Sequence, residues 1–144
     1  MKKVSSILDR KGKNVISISP LSSVFDALKI MAENNIGSVV VLHNGSYAGI
    51  ITERDYSRKV ILKGKHSTDT KVAEIMTADL PRVAPDDSIE HCMQLMSDRN
   101  IRYLPVFESE ELKGIISIHD VINELISSQQ ETISQLKDYL HSGI

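Results

Sequence analysis

The stretch Gly49-Ile50-Ile51-Thr52-Glu53-Arg54-Asp55 decides the fold, because it returns as Gly114-Ile115-Ile116-Ser117-Ile118-His119-Asp120. The two stretches lie 65 positions apart, and at this shift about forty residues align without a gap, with Pro20 over Pro85. A repeat of this length, present twice, is typical of two copies of one supersecondary unit that pack face to face. A hydroxyl residue and an aspartate recur with the apolar pattern, so the repeat also carries polar chemistry.

The composition is that of an ordinary globular protein of 144 residues, 41% hydrophobic and 25% charged. A net charge of −2 gives no basic field, so nucleic-acid binding is not expected. The single Cys92 cannot form an internal disulfide, and its place on a helical stripe favours a small buried hydrophobe. No apolar run reaches membrane-spanning length, which predicts a cytoplasmic protein without membrane association.

Each copy predicts a serine-capped amphipathic helix, two strands and a second helix after the motif. The first strand pair is Val39–Leu42 with Ala48–Ile51, joined by a tight turn at Asn44-Gly45. The second pair is Leu104–Phe107 with Leu112–Ile116. Because proline cannot donate to a ladder, Pro105 predicts that its strand lies at a sheet edge or ends its pairing there.

The repeat extends upstream into two short amphipathic segments. The pattern from Val4 to Leu8 matches the pattern from Val72 to Met76, now at a shift of 68. The polar stretch 63–67 is the predicted linker. We therefore divide the sequence into a first repeat with its lead-in helix at 1–70, a second repeat at 71–128, and a helical extension at 129–144.

The extension carries a narrow apolar stripe of the coiled-coil kind. It consists of Ile126, Ile133, Leu136 and Leu140. The stripe fits packing on another subunit and packing back on its own chain equally well.

The strand-to-helix corner at Thr52 has two interpretations. Thr52 suits an N-cap with Asp55 at the third helical position, and capping alone explains an acidic residue there. A carboxylate at such a corner can also accept hydrogen bonds from the vicinal hydroxyls of a ribose, while Thr52 and Arg54 favour a phosphate nearby. The recurrence of hydroxyl, aspartate and spacing at Ser117 and Asp120 favours the ligand, because capping alone would tolerate many other residues.

The sequence resembles the tandem CBS domain family of the stand-alone type. The resemblance rests on the lead-in at 72–76, the strand sequences Ile-Gly-Ser-Val-Val-Val at 36–41 and Ile-Arg-Tyr-Leu-Pro-Val at 101–106, and both motifs. It implies an α+β fold of two β-α-β-β-α repeats related by a pseudo-twofold axis. It also implies that the cleft between the repeats binds an adenosyl ligand such as AMP, ADP, ATP, NAD(H) or S-adenosylmethionine.

The resemblance further implies two sites, each combining halves of both repeats. At the first, Thr52 and Asp55 would hold phosphate and ribose, and the base would lie near the set Arg82, Ile101, Tyr103 and Pro105. At the second, Ser117 and Asp120 would hold the ligand, and the base would lie near the set Ile16, Ile36, Ser38 and Val40.

The residues that the family turns toward the phosphates differ between the two sites. They are Arg54 and Arg102 at the first site, but His119 and Gly37 at the second. Because both arginines belong to the first site, we expect it to bind multiply charged nucleotides more tightly.

These observations predict a regulatory sensor of adenine nucleotides, without catalysis, that acts on an unidentified partner protein and forms a homodimer. No nucleophile arrangement or metal-ligand spacing supports an enzyme, and no metal is expected. The alternative is a structural dimerisation or interaction module whose clefts are vestigial.

Overall fold

The computed structural model describes residues 2–12 and 14–142, which fall into two compact units. We call Val15–Leu80 the first-repeat unit. The second-repeat unit combines the segment through Asn14 with the chain from Pro81 onward.

In chain order the elements are α1 Val4–Lys11, β1 Ser17–Ile18, α2 Val24–Asn34, β2 Ser38–His43, β3 Ser46–Thr52, α3 Glu53–Lys59, a 3₁₀ turn Ile61–Lys63, α4 Val72–Ile75, α5 Ile89–Arg99, β4 Tyr103–Glu108, β5 Glu111–Ser117 and α6 Ile118–Ser142.

The two units are built alike, as the repeat predicts, and the α+β class is confirmed. In the first-repeat unit β1 runs parallel to β2, and β2 pairs antiparallel with β3. In the second-repeat unit β4 pairs antiparallel with β5. Ser23 caps α2 and Ser88 caps α5 through the same side-chain bond to the third helical amide, each 3.1 Å long. The helices pack their apolar stripes on the sheets and close one core per unit.

Both hairpins turn through two residues with positive φ. Asn44 and Gly45 have φ of 50° and 80°, which confirms the predicted tight turn. Ser109 and Glu110 have φ of 51° and 67°, so the second hairpin makes the same kind of turn without a glycine. A side chain at such φ values is strained, and this explains why the sequence predicts only the first turn type.

Pro105 lies inside β4 and not at its end. It pairs with Ile115, and pairing with β5 continues on both sides of it. Of the two predicted alternatives, the edge position is confirmed, because β4 and β5 form a two-stranded sheet. The other alternative, that pairing ends at this proline, is wrong for the hairpin side. On the other side, the equivalent Val40 donates its N–H to Ile16 O at 3.3 Å, a bond that proline cannot make. The strand that would match β1 is accordingly reduced to one bridge, between Val83 and Val106.

The lead-in helices pack with the opposite repeat from the one that they precede. Helix α1 buries Val4 and Ile7 in the core of the second-repeat unit, and α4 buries Val72 and Ile75 in the core of the first-repeat unit. The division predicted from the sequence, at 70/71, follows the repeats. In the structure, the chain passes from the second-repeat unit into the first-repeat unit after Asn14 and returns after Leu80. The predicted linker at 63–67 lies inside the first-repeat unit.

A glycine in each unit lets the lead-in approach the hairpin closely. Ile50 and Thr77 exchange two backbone hydrogen bonds of 2.9 and 2.8 Å beside Gly49. A Cβ at Gly49 would lie 2.7 Å from Thr77 O, a backbone atom. At the equivalent Gly114, a Cβ would lie 2.9 Å from Leu8 Cδ2, the end of a flexible side chain. A side chain is therefore harder to accommodate at Gly49 than at Gly114, because a backbone atom cannot move aside as a flexible side chain can.

The apolar stripe of α6 is open to solvent in the single chain. Ile126, Ile133 and Leu136 are 47%, 52% and 58% exposed, and Ile122 on the same stripe is 38% exposed. The side chain of Leu140 lies outside the described residues. Packing of the described stripe back on its own chain, one of the two possibilities that the sequence leaves open, is therefore not observed.

Cys92 is fully buried in the core of the second-repeat unit, as predicted. Burial raises the pKa of its thiol to about 11, and the Asp87 carboxylate adds to the rise. Because the thiolate is the reactive form, Cys92 serves as a packing residue at neutral pH.

We expect Gly49→Ala to destabilise the protein by about 1–3 kcal/mol, because the new methyl group meets a backbone carbonyl that cannot move alone. Gly114→Ala is the matched variant, and it should cost less than about 1 kcal/mol, because Leu8 can rotate away. Urea unfolding of both variants measures the difference. Equal costs would contradict the close packing of the lead-in on the first hairpin.

Candidate functional site

The first corner is built where β3 passes into α3. Thr52 ends the strand in an extended conformation and caps the helix, since its Oγ1 accepts from the Asp55 N–H at 3.0 Å. Asp55 Oδ2 accepts in return from the Thr52 N–H, also at 3.0 Å. These reciprocal bonds form a capping box, and they fix the carboxylate at the start of the helix.

Both oxygens of the Asp55 carboxylate are engaged within the first-repeat unit. Oδ2 also accepts from Thr52 Oγ1 at 3.1 Å, and Oδ1 accepts from Thr77 Oγ1 at 3.1 Å. Lys59 Nζ lies 3.0 Å from Oδ1. A carboxylate has about four acceptor positions, and only 6% of Asp55 is exposed. A ligand hydroxyl that binds Asp55 must therefore replace or share one of these contacts.

The second corner repeats this arrangement where β5 passes into α6. Asp120 Oδ2 accepts from the Ser117 N–H at 2.8 Å, and Ser117 Oγ accepts from the Asp120 N–H at 3.2 Å. Lys11 Nζ contacts the same Oδ2 at 2.9 Å. The Asp120 side chain is 22% exposed, against 9% for Asp55. The second carboxylate is therefore more accessible than the first.

The residues expected near a base lie on or beside the strand that pairs with the motif strand of their own unit. In the first-repeat unit, Ser38 pairs with Thr52, and the carbonyl of Gly37 accepts from the Glu53 N–H at 3.1 Å. In the second-repeat unit, Tyr103 pairs with Ser117. The other members of these sets follow the same strands or the segments beside them; they are Ile16, Ile36 and Val40, and Ile101 and Pro105. Their assignment to one site or the other stays a prediction.

The residues expected near phosphates are divided between the units. Arg54 is half-buried in α3, beside Asp55. Arg102 and His119 are exposed in the second-repeat unit, where the Arg102 carbonyl accepts from the Ile118 N–H at 2.9 Å. The predicted convergence of Arg54 and Arg102 on one phosphate site is not tested by these contacts.

Arg82 contacts the turn end of the second hairpin. Its guanidinium carbon lies 3.9 Å from the centre of the Phe107 ring, and its Nη1 lies 3.7 Å from Glu110 Oε2. Its predicted place beside a base stays a prediction.

Three residues that contact the motif carboxylates were not identified from the sequence. Lys59 could have been found, because a lysine four residues after an aspartate on a helix is a standard ion pair. Thr77 and Lys11 are 22 and 109 residues away from their partners, so no local pattern could connect them.

Over residues 2–12 and 14–142, no group of three or more His, Cys, Asp and Glu side chains is arranged to hold a metal ion. Within the same residues, the helices are too short or too polar to cross a membrane.

The family model that matches the chain is that of the CBS domain, and it matches twice, at residues 4–61 and 72–127. The chain belongs to the CBS domain family. The tandem repeat and its α+β architecture, which the sequence predicts, are confirmed.

Two of the curated relatives are CBS domain-containing proteins that match almost the whole of this chain. The mitochondrial CBS domain-containing protein CBSX3 of Arabidopsis thaliana is 37% identical over 97% of this chain and 72% of its own. The CBS domain-containing protein YhcV of Bacillus subtilis is 30% identical over 98% of this chain and 99% of its own. Because one relative is named as mitochondrial, the cytoplasmic location stays a prediction.

Solved structures of CBS proteins share the fold. A putative signal-transduction protein with CBS domains from Burkholderia ambifaria is 40% identical, with a TM-score of 0.85 over 89% of this chain and 96% of that one. A hexameric CBS-CP12 protein from bloom-forming cyanobacteria is 31% identical, with a TM-score of 0.74 over 85% of this chain and 70% of that one. CBS pairs are in general regulatory or ligand-binding modules.

Without ligand, Asp55→Ala should destabilise the protein more than Asp120→Ala. Asp55 loses a capping box and two further contacts in a buried setting, which costs about 2–3 kcal/mol. Asp120 is more exposed and makes fewer of the described contacts, so its loss should cost about 1 kcal/mol. Chemical unfolding of the two variants gives the comparison, and a larger cost for Asp120→Ala would contradict it.

Proposed function

We propose that this protein is a regulatory module that binds an adenine nucleotide, such as AMP, ADP, ATP or NAD(H), and changes the activity of a partner protein without catalysing a reaction. The observation that supports this proposal best is the recurrence of the same corner in both units. In each, the carboxylate accepts from the N–H of the hydroxyl residue and the hydroxyl accepts from the N–H of the aspartate, at the start of a helix.

The chemistry of this corner suits the ribose of a nucleotide. An ionised carboxylate only accepts hydrogen bonds, and the cis hydroxyls of a ribose can donate two. Because the carboxylates of Asp55 and Asp120 are oriented by backbone N–H groups, little ordering is required when a ligand binds. The hydroxyl of Ser117 lies within its corner, where a phosphate oxygen could accept from it. The hydroxyl of Thr52 could do the same after giving up its bond to Asp55 Oδ2.

The two motifs differ in what a ligand must displace. At Asp55 a ribose competes with Thr77 or Lys59, whereas Asp120 is more accessible. The arginines expected near the first motif would compensate when the ligand carries several negative charges. We therefore keep the ranking in which the Asp55 motif binds multiply charged nucleotides more tightly.

The regulatory effect requires that ligand binding favours one conformation over another. The proposed partner is a protein whose contacts depend on that conformation, and a homodimer is the proposed assembly. The exposed stripe of α6 supports self-association, because its members repeat at intervals of three, four and seven residues.

The structural alternative is a dimerisation module without a functional ligand. The same exposed stripe favours it, since self-association does not require a nucleotide. Thermal unfolding separates the two proposals. A melting temperature that does not rise with AMP, ATP, NADH or S-adenosylmethionine would favour the structural module.

Calorimetric titration with AMP, ATP and NADH tests the nucleotide proposal. Asp55→Ala should weaken binding at its motif by about tenfold to a hundredfold, because hydrogen bonds to a charged group contribute roughly 1.5–3 kcal/mol. Asp120→Ala is the matched variant for the other motif, and circular dichroism controls for folding. Unchanged affinity for all three ligands in both folded variants would contradict the proposal.

Sedimentation velocity tests the dimer. The wild-type protein should sediment as a dimer, and Ile133→Lys combined with Leu136→Lys should convert it to a monomer, because charges replace the apolar contact. Gln135→Lys, which adds a charge beside the stripe, is the control and should stay dimeric. A monomeric wild type, or a double variant that remains dimeric, would exclude this interface.

A further inference from the structure

Each motif carboxylate holds a lysine ammonium that also binds a backbone carbonyl. Lys59 Nζ lies 3.0 Å from Asp55 Oδ1 and donates to Ile75 O at 2.9 Å. Lys11 Nζ lies 2.9 Å from Asp120 Oδ2 and donates to Ile115 O at 2.9 Å. The two ammonium groups therefore have the same surroundings, one carboxylate and one carbonyl, in both units.

The two lysines come from different parts of the repeat. Lys59 follows Asp55 by four positions on α3, but the residue four positions after Asp120 is Glu124. Glu124 is only 4% exposed, and its carboxylate pairs with the Arg10 guanidinium of α1. In the second-repeat unit, α1 thus supplies a cation to Asp120 and another to Glu124. The motif helix of the first-repeat unit supplies its own lysine.

Helix α1 is held in different ways at its two ends. At the N-terminal end, Val4 and Ser5 donate backbone hydrogen bonds of 2.9 Å to Asp87 O and Pro85 O, and the Val4 side chain is fully buried. At the C-terminal end, the Arg10 and Lys11 side chains are 53% and 40% exposed and are held by ion pairs. The last turn can therefore loosen while the first turn stays in place.

A ribose that binds Asp120 through both of its cis hydroxyls competes with Lys11. One hydroxyl can bind Oδ1, which carries none of the described contacts. The other then meets Oδ2, where the Lys11 ammonium and the Ser117 N–H already use both acceptor positions. A ligand that takes over this oxygen removes one of the two ion pairs that hold the last turn of α1. The same event at Asp55 would release only the Lys59 side chain, which stays on the helix of its own motif.

We propose that an adenosyl ligand at the Asp120 motif displaces Lys11 and loosens the last turn of α1, so that the N-terminal helix responds to occupancy of this motif and not of the Asp55 motif. This inference rests on the proposed function, because it requires that the carboxylates bind the ligand. It adds the route by which binding at one motif changes the surface of the protein.

Amide hydrogen exchange of residues 9–12, followed by NMR with and without saturating AMP, tests the inference. In the wild type, AMP should speed exchange in this turn by about two- to fivefold, the range expected when one partly exposed ion pair is lost. Lys11→Met should show fast exchange already without AMP and no further change with it. Lys59→Met is the matched control, and it should keep the wild-type response.

The outcomes separate this inference from the proposed function. If calorimetry detects AMP binding but exchange in the last turn of α1 is unchanged, the inference is overturned and the proposed function stands. Slower exchange with AMP also overturns it, because Lys11 would then hold the ligand and not be displaced by it. If AMP, ATP and NADH all fail to bind, the inference and the proposed function are both overturned. A response lost in Lys59→Met but kept in Lys11→Met would assign the effect to the other motif.

Discussion

The reciprocal hydrogen bonds between a hydroxyl residue and an aspartate, three positions apart, are the constraint on which both units depend. They end a strand, start a helix and place a carboxylate at the corner in one step. A residue without a short acceptor at Asp55 or Asp120 would leave a backbone N–H of the corner without this partner. Stability and the proposed binding chemistry therefore use the same atoms, and this overlap explains why the recurring motif alone could not separate capping from ligand binding.

The exchange of lead-in segments gives the two corners different neighbours. At Asp55 the segment after α4 supplies Thr77, whose hydroxyl occupies one carboxylate oxygen. At Asp120 helix α1 supplies Lys11. The scaffold is thus duplicated while the contacts around each carboxylate are not. A duplicated fold can in this way acquire two unequal sites by changes in segments far from the motif in sequence.

Much of the fold could be predicted from the sequence, because its signals are local. The hydroxyl–aspartate spacing, the serine caps and the Asn44-Gly45 turn each depend on residues within four positions of one another. The turn at Ser109 and Glu110 was not predicted in type, because neither residue prefers positive φ. Pro105 correctly indicated an edge strand, but it did not show on which side of the strand pairing is lost. A missing N–H affects only one side of a strand, and the sequence does not say which side faces β5.

The exchange of α1 and α4 could not have been predicted, because the two lead-ins carry the same apolar pattern and suit either core. For the same reason the partners of the carboxylates were predicted only in part. The motif residues follow from a short pattern, whereas Thr77 and Lys11 reach their carboxylates only after the chain has folded. Sequence reasoning thus proposed the groups that would bind a ligand, but not the groups that such a ligand would displace.

NMR chemical-shift titration with AMP shows whether the two motif carboxylates bind an adenine nucleotide. The largest saturable shifts should fall on the amides of 52–55 and 117–120. The N–H groups of Thr52 and Ser117 donate to the carboxylates that would receive the ribose, and those of Asp55 and Asp120 donate to the neighbouring hydroxyls. Saturable shifts that leave both corners unchanged, or no shifts at millimolar AMP, would contradict it.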